Sequence, residues 1–196
     1  MEHRNFIIGI TGGTGCGKTT LLNMIRDRGG LILDCDAIYH ELLVSDQGLL
    51  QSIESRFPGV VENGSLNRKK LGGIVFADPQ ALLDLNLITH SAVKAEVLRR
   101  LAQQPKLAAI DAIALFEGGL AELCDTTVAI TAPAEDRVQR LMRRDNISEE
   151  YARNRIAAQH ADSWFQERCD HLLENNRDFD AFATKCVAFL NSLGIM

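Results

Sequence analysis

The chain is 196 residues long, 46% hydrophobic and 24% charged. That length and balance let one domain, with or without an inserted subdomain, bury its own core, and they exclude disordered, collagen-like and coiled-coil readings. With 21 basic against 26 acidic residues the net charge is −5, so the surface as a whole is no trap for nucleic acid or acidic membranes, and any anion site has to be local. The five cysteines, Cys16, Cys35, Cys124, Cys169 and Cys186, form no C-x-x-C pair and no zinc spacing, which points to a reducing cytoplasm. The opening Met1-Glu2-His3-Arg4-Asn5 does not read as a signal peptide, and no stretch approaches the ~20 apolar residues of a membrane span.

Phe6-Ile7-Ile8-Gly9-Ile10-Thr11 is a β-branched apolar run that predicts a buried strand. A glycine-rich loop follows. Thr20 to Arg28 then has helical spacing, with Leu21, Leu22 and Ile25 on one side and Gly29-Gly30 as terminator. Leu31-Ile32-Leu33-Asp34 predicts a second strand. From Ala37 to Pro105 the pattern is mostly helical, broken at Ser45-Asp46-Gln47-Gly48, Phe57-Pro58-Gly59, Asn63-Gly64 and Asp78-Pro79. Leu107 to Ile113 predicts a third strand and Thr127 to Thr131 a fourth, closed by Pro133. Two charged helices are expected over Ala134–Arg144 and from Glu149 to about Glu167, the second capped by Ser148. His171 to Glu174 reads as a short fifth strand and Asp178 to Leu193 as a closing amphipathic helix. Strands separated by helices predict an open parallel α/β sheet with a helical insertion.

Gly12-Gly13-Thr14-Gly15-Cys16-Gly17-Lys18-Thr19 fits G-x-x-x-x-G-K-[ST] at every fixed position, between a strand and a helix. Glycines let successive N–H groups turn inward to cradle phosphate oxygens, and the helix N-terminus adds positive partial charge. Lys18 is expected to reach the β- and γ-phosphates and the Thr19 hydroxyl to ligate Mg²⁺. These eight residues with Thr20 are the candidate contacts to ATP. Cys16 sits where a helix N-terminus could lower its pKa and make it oxidisable; the simpler reading is a small side chain turned from phosphate.

Ligands of such sheets bind beyond the carboxyl ends of the strands, where Asp34, Asp36 and Asp111 are expected. If the second strand runs through them, Asp34 and Asp36 face the same way, and one can take the proton of an attacking hydroxyl. Asp36 is the preferred base; a helix N-cap is the competing use of either residue. Asp111 sits inside an apolar strand, where an unpaired carboxylate is expensive, and is assigned to Mg²⁺. After the fourth strand, Arg137, Arg140 and Arg144 fall at i, i+3 and i+7, followed by Arg153 and Arg155. Either this is a solvated face paired with Glu135, Asp136, Glu149 and Glu150, or it is a lid over a triphosphate; Arg140 and Arg144 are the lid candidates. His90 lies amid Leu85, Leu87, Ile88 and Val93, and Trp164-Phe165 reads as packing rather than a stacking platform.

The ordered series of motifs resembles the dephospho-coenzyme A kinase family over most of the chain. Ile10 through Thr19 is similar to that family's first motif, and Asp34-Cys35-Asp36, with His40 shortly after, resembles its D-x-D segment. Leu66-Asn67-Arg68-Lys69-Lys70-Leu71, Val75-Phe76, Asp78-Pro79 and Ile88-Thr89-His90 resemble its acceptor-side text, and Asp111 to Glu117 its D-V-P-L-L-F-E. Gln139-Arg140-Leu141-Met142, Arg144-Asp145, Arg155-Ile156 and Gln159 resemble the lid text, and Asp170 with Asn175-Asn176 the closing motif. Departures fall at Ser91, Ile113, Phe165, Cys169 and Arg177.

The resemblance implies transfer of the ATP γ-phosphate to the ribose 3′-hydroxyl of dephospho-coenzyme A, with Mg²⁺. It implies Asp36 as base, Lys18 and Arg140 on the phosphates, Arg68, His90 and Glu117 around the acceptor, and Asn175 near the adenine. The implied fold is a three-layer P-loop kinase with a five-stranded parallel sheet. Its nucleotide-binding core would be 1–36, 106–133 and 168–196, its acceptor-binding insertion 37–105 and its lid 134–167. Expected partners are small molecules, with no nucleic acid and no membrane. The alternatives are another small-metabolite or nucleotide kinase of this fold, or a nucleotide-dependent regulatory binding protein.

Overall fold

A computed structural model describes residues 5–176 and 178–196. The expected departure at Arg177 and the first four residues of the opening segment lie outside them. Five strands, β1 (Phe6–Thr11), β2 (Leu31–Asp34), β5 (Leu107–Asp111), β6 (Thr126–Thr131) and β7 (His171–Glu174), form one sheet in the order β2-β5-β1-β6-β7. The sheet is parallel, with Ile8 opposite Ala109 and Thr126, and Ala129 opposite Leu172. The central strand β1 is the first in sequence, so the chain leaves it toward one edge and later returns to the other. That switch point puts the loop after β1 at the natural ligand crevice of an open α/β sheet.

Burial explains why these segments become strands. In β1 the last four residues are buried and in β6 all six are, as required of a sheet covered on both faces. One face packs against α1 (Lys18–Asp27) and α9 (Phe179–Ser192). Leu21, Leu22 and Ile25 meet Phe182, Cys186, Phe189 and Leu190 over Ile8, Ile10, Val128 and Ile130. A smaller core of Val138, Leu141 and Ala152 joins α6 (Ala134–Asp145) to α7 (Glu149–Ala157).

The chain forms two compact units. One runs to Leu33 and takes in Gln104–Phe116 and Leu120–Met196; the other comprises Asp34–Gln103 and Glu117–Gly119. The second contains α2 (Cys35–Ser45), α3 (Gln47–Arg56), α4 (Arg68–Val75) and α5 (Pro79–Leu101). A two-residue hairpin, β3 (Val61–Glu62) with β4 (Ser65–Leu66), interrupts these helices. Asn63 and Gly64 between them have φ of 51° and 76°, the left-handed pair that a tight hairpin turn needs. Ser91 lies within the unbroken α5, its hydroxyl donating to the Leu87 carbonyl at 2.7 Å. Among the described residues no helix is long and apolar enough to cross a membrane, and all five cysteines are free.

Three expectations need correction. The second strand stops at Asp34, which caps α2 by accepting from the Ala37 N–H at 3.0 Å, so Asp34 and Asp36 do not share a strand face. The helix after Gly17 begins at Lys18, not Thr20. The segment from Glu149 to Glu167 is two helices, α7 ending at Ala157 and α8 at Asp162–Gln166.

Candidate active site

Residues 12–17 link buried β1 to α1. Gly12 has φ of 124°, and a Cβ there would stand 2.2 Å from the Ile130 carbonyl of β6, so only glycine lets the chain turn out of the sheet. At the far end Gly17, with φ of 98°, is the N-cap of α1 and supplies no side chain to the helix amides. No acidic residue lies in the first turn. The N-terminus of α1 therefore keeps its N–H dipoles for an anion.

Lys18 Nζ donates to the Gly12 carbonyl at 3.1 Å and stands 3.8 Å from Asp111 Oδ1. Pairing of β1 with β5 brings this about, because Ile10 lies opposite Asp111. Thr11 Oγ1 donates to the Ile113 carbonyl at 3.2 Å and ties the next turn to the same edge. Thr19 is exposed one residue beyond Lys18, and Thr20 is half-buried. A hydroxyl from Thr19 and a carboxylate from Asp111 are hard oxygen donors, too few to cage an ion. That donor set suits Mg²⁺, which keeps waters and takes substrate phosphates.

Three loop carbonyls face side chains from distant segments. Arg137 Nε donates to Thr14 O at 2.9 Å, Arg140 Nη1 to Gly15 O at 3.0 Å, and Asn175 Nδ2 to Cys16 O at 2.9 Å. Gln159 Oε1 accepts from the Thr14 N–H at 2.9 Å. These bonds tie three carbonyls of the loop, and the Thr14 amide, to side chains of the segments behind it. Asn175 is buried, its own N–H bonded to Thr131 O.

The arginine face divides. Arg140 lies on the loop, but Arg144 forks onto its neighbour Asp145 at 2.7 and 3.0 Å. Arg155 joins them at 2.7 Å, and the two guanidiniums, Arg144 foremost, hold the Asp145 carboxyl down to about 2. Arg153 bonds Glu135 and Glu149 on the outer surface, the ordinary solvated arrangement. Cys16 is fully buried, and burial pushes its thiol up despite Arg137 and Lys18 nearby. Trp164 stacks on His160 at 3.9 Å and meets Phe165 and Phe116 edge-on, which is packing.

In the second unit Asp36 is exposed in the first turn of α2. Tyr39 and His40 follow at i+3 and i+4, on the same side of the helix. Arg68, at the start of α4 behind the Asn67 cap, bonds His40 Nδ1 at 3.0 Å. Burial raises the Tyr39 phenol, and Arg68 pulls it back. His90 is half-buried midway along α5, and Glu117 is exposed in the turn after Phe116.

The residues that the motifs did not single out as site members are Arg137, Gln159 and His40. Arg137 lay on the i, i+3, i+7 face, and its burial against the loop was the missing information.

The dephospho-CoA kinase family model matches residues 6–180. A dephospho-CoA kinase from Syntrophotalea carbinolica is 36% identical over 194 residues, covering 95% of this chain and 92% of that protein. A crystal structure from Thermus thermophilus matches with a TM-score of 0.81 at 30% identity, covering 97% and 98% of the two chains. A dephospho-CoA kinase from Campylobacter jejuni matches with a TM-score of 0.68 at 25% identity, covering 95% and 96%.

Proposed function

We propose an activity on one premise: the chain belongs to the dephospho-CoA kinase family. It transfers the γ-phosphoryl group of ATP to the ribose 3′-hydroxyl of dephospho-coenzyme A, giving coenzyme A and ADP. The observation that carries this reading is the phosphate loop, glycine-turned out of β1 and followed by an uncapped helix start with Lys18 at its mouth.

Phosphoryl transfer asks the protein mainly for position and charge. The 3′-oxygen bonds to the γ-phosphorus as the bond to the bridging oxygen of ADP breaks, and the hydroxyl proton passes to the Asp36 carboxylate. Asp36 is exposed, and the cap of α2 belongs to Asp34, which supports this role. Gly12 to Thr20 hold the phosphates, with Lys18 on the β,γ end. Arg140 adds positive charge at the loop's rim, and Arg144 reaches the nucleotide by exchanging the Asp145 carboxylate for a phosphate. Asn175 serves the nucleotide by holding Cys16 O. Thr19 and Asp111 would hold Mg²⁺, which would supply charge neutralisation to the phosphates. Arg68, oriented by His40, binds the acceptor with His90 and Glu117. Free cysteines agree with a cytoplasmic enzyme.

Mass spectrometry of Mg²⁺/ATP reactions offered dephospho-coenzyme A, adenosine, AMP or pantothenate tests the acceptor. A gain of ~80 Da, one phosphoryl group, is expected on dephospho-coenzyme A alone. Phosphate on another acceptor, or ADP formed with inorganic phosphate only, would contradict the assignment.

A further inference from the structure

We propose that Arg137 and Gln159 are positioning residues that hold the phosphate loop in its nucleotide-ready shape, with Gly13 kept free of a side chain to admit them. The proposal rests on the kinase reading above.

Arg137 is 5% exposed. A guanidinium so deeply buried is stable only where its donors find acceptors and its charge an answer. Its Nε donates to Thr14 O at 2.9 Å and its Nη2 to Gln159 Oε1 at 2.8 Å, while the Thr14 N–H donates to that same Oε1 at 2.9 Å. The three residues close a ring in which both backbone polar groups of Thr14 are held, by side chains 123 and 145 residues away. A planar fork can serve two acceptors fixed in this way; an ammonium cannot.

Gly13 explains itself from the same ring. It is not among the glycines with positive φ, so conformation does not demand it. A Cβ there would lie 2.1 Å from Arg137 Nη2 and 2.9 Å from Gln159 Oε1. Glycine at this variable position of the motif is the space in which the guanidinium sits. The charge balance points the same way: Asp162 pairs with Arg137 only at 3.9 Å and is half exposed. A buried cation thus lies behind the loop with a loose counter-charge, and a bound triphosphate completes it.

Isothermal titration of the full-length chain tests this. Arg137→Met and Gln159→Leu should each raise the ATP Kd about tenfold, the loss expected of a charge-assisted hydrogen bond. The dephospho-coenzyme A Kd should stay within twofold. Gln159 is half-buried two residues beyond α7, so its variant keeps the test usable if Arg137→Met unfolds. Gly13→Ala should weaken ATP in the native background and add little in Arg137→Ala, because the methyl then fills vacated space. ATP affinity unchanged in both single variants would overturn the clamp, as would loss of ATP and acceptor binding in equal measure. A wild-type chain that binds ATP yet leaves dephospho-coenzyme A unphosphorylated would instead overturn the acceptor assignment, with the ATP arm still readable.

Discussion

Asp36 offers a carboxylate to solvent from the first turn of α2, while Asp34 gives its own to the Ala37 amide. Position relative to the strand end decides which does which, and the two should respond differently to substitution. Asp36→Asn should lower kcat at least about a hundredfold, as loss of a general base does, with the ATP Kd within twofold. Asp34→Ala should instead cost about 1 kcal/mol of stability as a lost cap, with kcat nearly intact. Steady-state rates and thermal midpoints on both variants check the division; equal kcat losses would reject it. The arginines divide in the same way. Arg140 donates to Gly15 O, whereas Arg153 bonds Glu135 and Glu149 away from the loop. Arg140→Ala should cut kcat/KM for ATP at least about tenfold, the scale of a lost charge-stabilising contact. Arg153→Ala should stay within about twofold, because exposed pairs contribute little.

Helix α5 carries an ionic cluster that contributes to the acid sensitivity of its unit. Glu96 accepts from Arg99 and Arg100, and Arg100 also bonds Glu41 of α2. Arg99 foremost, with Arg100, holds the Glu96 carboxyl down to about 2 from an ordinary 4.5. A carboxyl depressed on folding stabilises above its unfolded pKa and loses that contribution as pH falls through the folded one. Glu96→Gln should therefore lower the thermal midpoint at neutral pH, and the gap to wild type should close between about pH 4.5 and 2. A gap that persists unchanged across that window would reject the cluster as its source.

At this scale the sequence was legible wherever periodicity was local. All five sheet strands, the Gly29-Gly30 stop and the cap at Ser148 follow from short-range chemistry. The break between α7 and α8 was not legible, since no glycine or proline marks Ala158-Gln159-His160-Ala161. Tertiary contacts make it: Gln159 is drawn to Thr14 and Arg137, and His160 stacks on Trp164. The β3–β4 hairpin was visible only as its Asn63-Gly64 turn, because two-residue strands are too short to alternate. The same limit hid the burial of Arg137 and the turn of Asn175 toward the loop, both set by residues more than a hundred positions away.

For the whole molecule, a net charge of −5 is no obstacle to binding a polyanion, because cations and helix amides are gathered at one loop on the switch point of the sheet. Since the five cysteines are free, the unfolding midpoint should be the same with and without a thiol reductant; a drop on reduction would reveal a stabilising disulfide. The central claim concerns one bond, from the acceptor's ribose 3′-oxygen to the γ-phosphorus of ATP. Phosphorus–proton correlation NMR of the product reads that bond directly. The account predicts one new phosphomonoester resonance coupled to the ribose H3′, formed in step with ADP. Coupling to H2′, or inorganic phosphate in place of a new ester, would contradict it.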